Sequence, residues 1–462
     1  MGRPVSRLFT ALLGPVASLL GLVVVGVALA LALQRGGALL VAAAALALLA
    51  LALALQFPHQ LAVGLLVAGV FAAAYLKPVP PFSGPVLISV LIFVCGLGVS
   101  LRTRFDFVDW PLALTAMGLA CLWMLGSVLV GRVTEGVALT GLATMAGVMQ
   151  LGQTARGRRG ALFGLAVGSV IAALYGLFTV ITGQNPIVAF AVSRGTDLSV
   201  LEAGPRFGFG RAVGAFSHPI MLGTFLGLGC LAALELARLK AIKDRTAALI
   251  VVIAFSGQIA TISRGPVVAT LGCVALWVVF GRPMSRRWRV IVTIGIAALV
   301  VGALWLGGLQ GDVGSLFGTS AGDPLAGSTR YRIELAKALA QRLPHTPLLG
   351  FPNPDTAVFL PGFRSLDNEI AYLGLTRGLL GLAVWGALLA VPLFVCARRR
   401  GPLVLSRQYV VLSIVFVALV GAAVAYFGLL MFYLFVVLAL CWVAVAAPSP
   451  EESAAAEDPA PG

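Results

Sequence analysis

Two arginines and a pair of carboxylates stand apart in an otherwise apolar chain. Arg211 opens the segment Arg211-Ala212-Val213-Gly214-Ala215-Phe216-Ser217-His218-Pro219, and Arg264 sits inside Ser263-Arg264-Gly265. Asp367 and Glu369 flank Asn368, with Tyr372 about one helical turn beyond Asn368. Arginine offers a permanently charged planar fork that matches phosphate oxygens. A carboxylate beside a hydroxyl can take its proton as the oxygen attacks. Together these types suit transfer of a group away from a phosphate, with positive charge placed where negative charge develops. Plainer readings stand beside this one. An arginine at a helix end can simply reach the membrane interface. Asp367 and Glu369 can cap the helix that follows them. His218 can be a polar interface residue, and His345, in Pro344-His345-Thr346-Pro347, can fix a turn. Arg264 fits the plain reading least, because its hairpin leaves almost no room.

Other chemistries find little support. The histidines (His59, His218 and His345) are few and scattered, and the six cysteines form no CxxC or Cys/His spacing. Neither a metal site nor structural disulfides are expected. A Walker loop, a GxGxxG turn and an HExxH helix are all missing, which argues against an ATP-driven pump, a dinucleotide enzyme and a zinc protease. No cofactor is expected.

The elements that must position these residues follow from composition. Of 462 residues, 60% are hydrophobic and only 11% charged, with a mean hydropathy of +1.03. A soluble chain carries about 25% charged residues, and this much apolar surface would leave it covered in sticky patches. The fold class expected is an all-α polytopic bundle of about 12–14 spans. Apolar runs long enough to cross a bilayer occur near 12–33, 36–55, 60–76, 84–100, 111–130, 136–153 and 160–183. They resume near 217–237, 246–262, 265–281, 290–308, 371–396, 407–426 and 428–446. Arg3 and Arg7 before the first run imitate a secretory signal, but the run is long enough to be kept as a first helix. The chain thus divides into helices over 1–183, a loop over 184–216, helices over 217–308, a long loop over 309–370, helices over 371–446 and a tail over 447–462. The long loop carries a helical stretch near 328–343 and reads as an ordered cap. The Pro/Ala/Glu-rich tail reads as disordered.

Charge orients the bundle. With the N-terminus in the cytoplasm, the inner segments hold Arg3, Arg7, Arg102, Arg104, Arg156, Arg158, Arg159 and the clusters at 238–245, 282–289 and 398–407. The short outer loops hold only Arg35, Lys77, Arg132 and Arg264. This asymmetry follows the positive-inside pattern and puts both termini in the cytoplasm. The net charge of +15 is spread as orientation signals between apolar runs, so nucleic acid is not expected as a partner. On this topology Arg211, Arg264, Asp367 and Glu369 all fall on the outer face, each beside a helix end.

The order of these segments resembles the O-antigen ligase/polysaccharide polymerase superfamily. Arg211 to Pro219 is similar to its R-x-x-G-x-F-x-x-P segment, and Ser263-Arg264-Gly265 to its SRG turn. Arg332 through Leu343, followed by His345-Thr346-Pro347-Leu348-Leu349-Gly350, resembles its arginine-bearing helix and P-L-L-G turn. Asp367-Asn368-Glu369-Ile370-Ala371-Tyr372-Leu373, with Gly378-Leu379-Leu380-Gly381, resembles the last segment. The motifs lie between about 205 and 381. The resemblance implies a metal-independent glycosyltransferase on the outer face of a bacterial inner membrane. Its donor would be an undecaprenyl-diphosphate-linked glycan and its acceptor a growing glycan or lipid A–core. It further implies that Arg211 and Arg264, with Arg332 as a third, meet the donor diphosphate. Asp367 or Glu369 would act as general base, supported by His218, Asn368, Tyr372 and Ser263. Many ligases of the family have histidine where this chain has Asp367. An aspartate, with an ordinary pKa near ~3.9, is a weak base unless its site desolvates it; this leans the expectation towards a polymerase. A transporter or lipid flippase is the alternative, and would place ionisable residues or broken helices near mid-membrane. An assembly scaffold without chemistry would leave the shared sidedness of Arg211, Arg264 and Asp367 unexplained.

Overall fold

Inside lipid a backbone must satisfy its own polar groups, and a helix does so within one segment. Apolar runs of this length therefore have one economical form, and the structure, a computed structural model, is built from it. It describes residues 52, 56–71, 84–103, 110–129, 135–193, 210–216, 218–280, 287, 334–335, 337–338, 341–342, 345, 348–350, 369–399, 403–421 and 428–446. Among the described residues no strand occurs. The helices are α1 (Pro58–Ala68), α2 (Gly84–Thr103), α3 (Trp110–Leu129), α4 (Glu135–Leu151), α5 (Ala155–Thr182) and α6 (Pro186–Ser193). They continue with α7 (Pro219–Arg238), α8 (Asp244–Ala260), α9 (Arg264–Phe280), α10 (Glu369–Arg398), α11 (Arg407–Gly421) and α12 (Gly428–Ala446). Each expected span from 60–76 to 265–281, and from 371–396 to 428–446, overlaps one of them in its described part; 72–76 and 422–426 lie outside the described residues. The spans expected at 12–33 and 290–308, nearly all of 36–55, and the tail 447–462 lie outside the described residues. Among the described residues three helices are long and apolar enough to cross a membrane, namely α5, α7 and the Arg377–Arg398 part of α10.

Small residues let these helices approach closely, as expected where lipid supplies no hydrophobic drive between them. A side chain at Gly147 of α4 would fall 2.7 Å from the Ile92 carbonyl of α2. Nearby, the Thr144 hydroxyl donates to Ser89 Oγ at 3.0 Å. The central helix is α7, whose residues from Pro219 to Ala237 are all buried. A helix apolar on every side belongs in the interior. It packs against α5, α8 and α9, with α11 and α12 beyond.

Polar bonds set the two ends of the bundle apart. At one end Glu235, fully buried near the end of α7, accepts from Arg238 at 2.8 Å. Its two oxygens also accept from the backbone N–H and hydroxyl of Ser406, at 2.8 and 2.7 Å. Ser406 caps α11 in turn, accepting from Tyr409 N at 3.0 Å. The same end holds the tight turn from α4 to α5, where Arg158 donates to the carbonyls of Gly152 and Gln153. Arg156, Arg159, Lys240, Lys243, Arg398, Arg399 and Arg407 sit on helices or turns that begin or finish here. Because α11 starts beside the end of α7, the C-terminus of α10 is at this basic end. The N-terminus of α10 is therefore at the other end, with the N-termini of α7 and α9.

A buried donor left without its acceptor costs about 1–3 kcal/mol. Glu235→Ala, which leaves Arg238 and the α11 cap without their acceptor, is expected to lower the thermal midpoint in detergent by several degrees. Unfolding followed by tryptophan fluorescence checks this; an unchanged midpoint would mean that the cluster adds no net stability.

Candidate functional site

The segment Gly210–Phe216 is held against the end opposite the basic clusters by contacts from three directions. Phe216, almost fully buried, stacks on Phe225 of α7 with ring centroids 5.4 Å apart. Asn185 donates through Nδ2 to the Gly214 carbonyl at 2.9 Å. The Asn185 side chain also caps α6, accepting from Val188 N at 3.2 Å and from the Tyr175 hydroxyl at 2.8 Å. From the third side, Ala212 N donates to the Ala260 carbonyl at 2.9 Å. That oxygen belongs to the last turn of α8, where helical carbonyls lack partners of their own.

Arg211 extends the same contact. Its Nε donates to the Thr261 carbonyl at 3.1 Å, and its Nη2 to Ser263 Oγ at 3.0 Å. Ser263 Oγ in turn donates to the Thr261 carbonyl at 3.2 Å. A cation closing the last carbonyls of a helix is favourable both as a hydrogen bond and towards the helix dipole. The hairpin between α8 and α9 is thereby tied to a segment 50 residues earlier in the chain. Ile262 within it has φ of +49°, a region that a β-branched residue rarely occupies. Below the hairpin, Gln258 Nε2 donates to the Gly223 carbonyl and to Thr270 Oγ1, both at 2.7 Å, and so links α7, α8 and α9. Arg264 is the first residue of α9 and is half-buried.

His218 is the N-cap of α7. Its Nδ1 accepts from Ile220 N at 3.2 Å, and Pro219 fills the first helical position, where a missing N–H costs nothing. An imidazole accepting at Nδ1 is neutral there and carries its proton on Nε2. Its place is one of shaping the entry of α7, next to the segment that carries Arg211.

The second pair of motifs also meets. Leu380 N donates to the Leu348 carbonyl at 3.1 Å, which joins the turn at Leu348-Leu349-Gly350 to the Gly378-Leu379-Leu380-Gly381 segment. Residues 334–335, 337–338 and 341–342 are helical; the rest of the helix expected near 328–343 lies outside the described residues. Gly378 interrupts α10 with φ of +65° and ψ of −165°. The apolar helix then runs from Arg377 to Arg398, so the span expected at 371–396 starts later and residues 369–377 form a separate helical piece. Only glycine adopts such a backbone without strain. Arg377, about a turn and a half into the expected span, lies beside this break and is buried.

Glu369 opens α10 and is almost fully buried, 1% exposed. It lies at the same end of the bundle as Arg211 and Arg264. Its helix packs mainly on α3, and reaches α9 through a shared neighbour, α11. Tyr372 falls in the first turn of α10. Asp367, Asn368 and Arg332 lie outside the described residues, as do 194–209 of the first loop and most of 309–370.

The structure thus bonds Arg211 to Ser263, next to Arg264, with His218 and Glu369 at helix starts on the same end. Asn185, Tyr175, Thr261 and Gln258 are not among the residues expected from the sequence. A signal existed for Asn185, since Gly183-Gln184-Asn185-Pro186 carries a helix-ending glycine and then a cap before proline. Nothing marked Thr261 or Gln258, whose bonds depend on partners in other helices. No protein-family model and no curated protein matches this chain.

Proposed function

We propose that this chain is a membrane glycosyltransferase of the O-antigen ligase/polymerase type. It transfers a glycan from undecaprenyl diphosphate to an acceptor hydroxyl at the outer face of a bacterial inner membrane. The observation that carries this reading is the bonding of Arg211 to the turn bearing Ser263 and Arg264, which gathers two cations at one end of an apolar bundle. The positive-inside pattern assigns the opposite, basic end to the cytoplasm, and both termini with it.

In the reaction the acceptor oxygen attacks the anomeric carbon, and the bond from that carbon to the diphosphate oxygen breaks with its electron pair. Polyprenyl diphosphate leaves with an added negative charge, which Arg264 and Arg211 stabilise, with Arg332 as a third cation. The positive N-termini of α7 and α9 reinforce them. The acceptor proton passes to Asp367 or Glu369. Apolar helix faces hold the polyprenyl tail in lipid, and the activated donor makes a separate energy source unnecessary. The acceptor is a growing glycan or lipid A–core.

Purified protein with an undecaprenyl-diphosphate-linked oligosaccharide tests this directly. A ladder of lengths from donor alone identifies a polymerase, and one shifted band that needs lipid A–core identifies a ligase. No turnover with several donors by folded protein would sink the proposal. Because arginines supply the positive charge, transfer is expected to survive excess EDTA unchanged. Loss of activity with rescue by a divalent ion would refute that account.

One observation favours a second reading, a flippase or transporter. Broken helices with buried charge line many transport sites, and α10 is broken at Gly378 beside buried Arg377. The break stands at the end of the apolar stretch rather than near its middle, which fits a surface site better. Translocation of a fluorescent polyprenyl-diphosphate glycan across proteoliposomes, without transfer, would favour the transporter.

A further inference from the structure

Arg211 and Arg264 look equivalent as sequence, yet the structure gives them different surroundings. Two of Arg211's donors are directed into the α8–α9 hairpin, at Thr261 and Ser263. Between those two acceptors lies Ile262 in the left-handed region, at φ of +49°. A β-branched residue is strained there and persists only when its surroundings hold it. Those surroundings are Arg211 on two atoms of the turn, Ala212 N on the Ala260 carbonyl, and the Thr261 hydroxyl on the Gln258 carbonyl at 2.7 Å. Immediately after the turn comes Arg264, at the first position of α9. A side chain on the first helical residue inherits its direction from the backbone just before it.

From this we infer that Arg211, Ser263 and strained Ile262 form a positioning device, which aims Arg264 at the diphosphate of the polyprenyl-linked donor. Beyond the charge it contributes itself, Arg211 thus acts through Arg264 as a positioning residue. The inference rests on the glycosyl-transfer reading for its substrate, and on the hairpin geometry for its mechanism. Preorganised charge lowers the barrier because no reorganisation is left for the moment of reaction. A loosened turn therefore weakens transition-state stabilisation more than ground-state binding, and a misplacement of about 1 Å can cost around 10²-fold.

Two substitutions leave both arginines in place. Ile262→Gly relieves the strain and frees the turn, while Ser263→Ala removes the acceptor of Arg211 Nη2. Each is assayed as full-length protein in lipid nanodiscs for kcat and KM, for thermal midpoint, and for affinity towards inorganic pyrophosphate. The expected result is a kcat at least about tenfold lower in both variants, with KM within about threefold and the midpoint within a few degrees of wild type. Wild-type kcat in both variants would overturn the inference, as would kcat falling only in step with the midpoint, since that marks a merely structural turn. If wild-type protein transfers no glycan, the proposed reaction fails and pyrophosphate decides the rest. Binding by wild type that weakens in both variants keeps the positioning device as an anion clamp; no binding by wild type, or equal binding by all three, overturns it.

Discussion

Arg264→Ala is expected to lower transfer by about 10²–10³-fold, the usual cost of removing one preorganised donor from a developing negative charge. The loss should fall on kcat more than on KM, because the charge on the leaving diphosphate grows towards the transition state. Arg264→Lys should recover part of it, since lysine keeps the charge but not the two-pronged fork. Arg264 heads α9 on a hairpin held by Arg211 and Ser263, and Gln258 joins the helices beneath it. Truncating its side chain leaves all those bonds in place, so the variant should fold and reach the membrane normally. Single-turnover transfer from an undecaprenyl-diphosphate donor, with expression and thermal midpoint measured in parallel, checks this. Wild-type rates in a well-folded Arg264→Ala protein would remove the main support for glycosyl transfer.

Asp367→Asn is expected to slow transfer by about 10²–10⁴-fold, the range that a positioned general base contributes. Asp367→His should lose much less, because an imidazole can also accept the proton. Its rate should then rise with pH through histidine's ordinary range near ~6.5, as the ring loses its proton and becomes able to act as base. The wild-type aspartate should show that rise at lower pH. A series of initial rates between pH 5 and 8 would display the difference. If Asp367→Asn is the faster of the two variants, the base lies elsewhere, and Glu369→Gln becomes the next measurement. Glu369 is buried at the start of α10, on the same end of the bundle as Arg264, which makes it the natural substitute.

Some of the site was legible before any coordinates. Arg264 stands out in the sequence as a cation in a short loop expected on the outer side, and the structure places it at a helix start beside Ser263. Arg211 drew notice for its charge and spacing, but its bonds to Thr261 and Ser263 were not legible, since they join segments 50 residues apart. His218 showed its cap through the following proline. The cluster of Glu235, Arg238 and Ser406 was half-visible: Glu235 and Arg238 are one turn apart, whereas Ser406 is 171 residues away.

The sequence by itself determined where the helices lie and how their charges are distributed, because both follow from local chemistry. An apolar run about 20 residues long has no other way to satisfy its backbone in lipid, and basic clusters between runs are read residue by residue. Only the tertiary structure decided which helix ends share a site, that Arg211 closes the end of α8, and that α10 breaks at Gly378. A hydrogen bond between distant segments depends on how helices cross and how closely their small residues let them approach, as Gly147 does against Ile92. A glycine's left-handed conformation is likewise chosen by its neighbours in space: the residue permits the break, and the docking of Leu380 N onto the Leu348 carbonyl holds it.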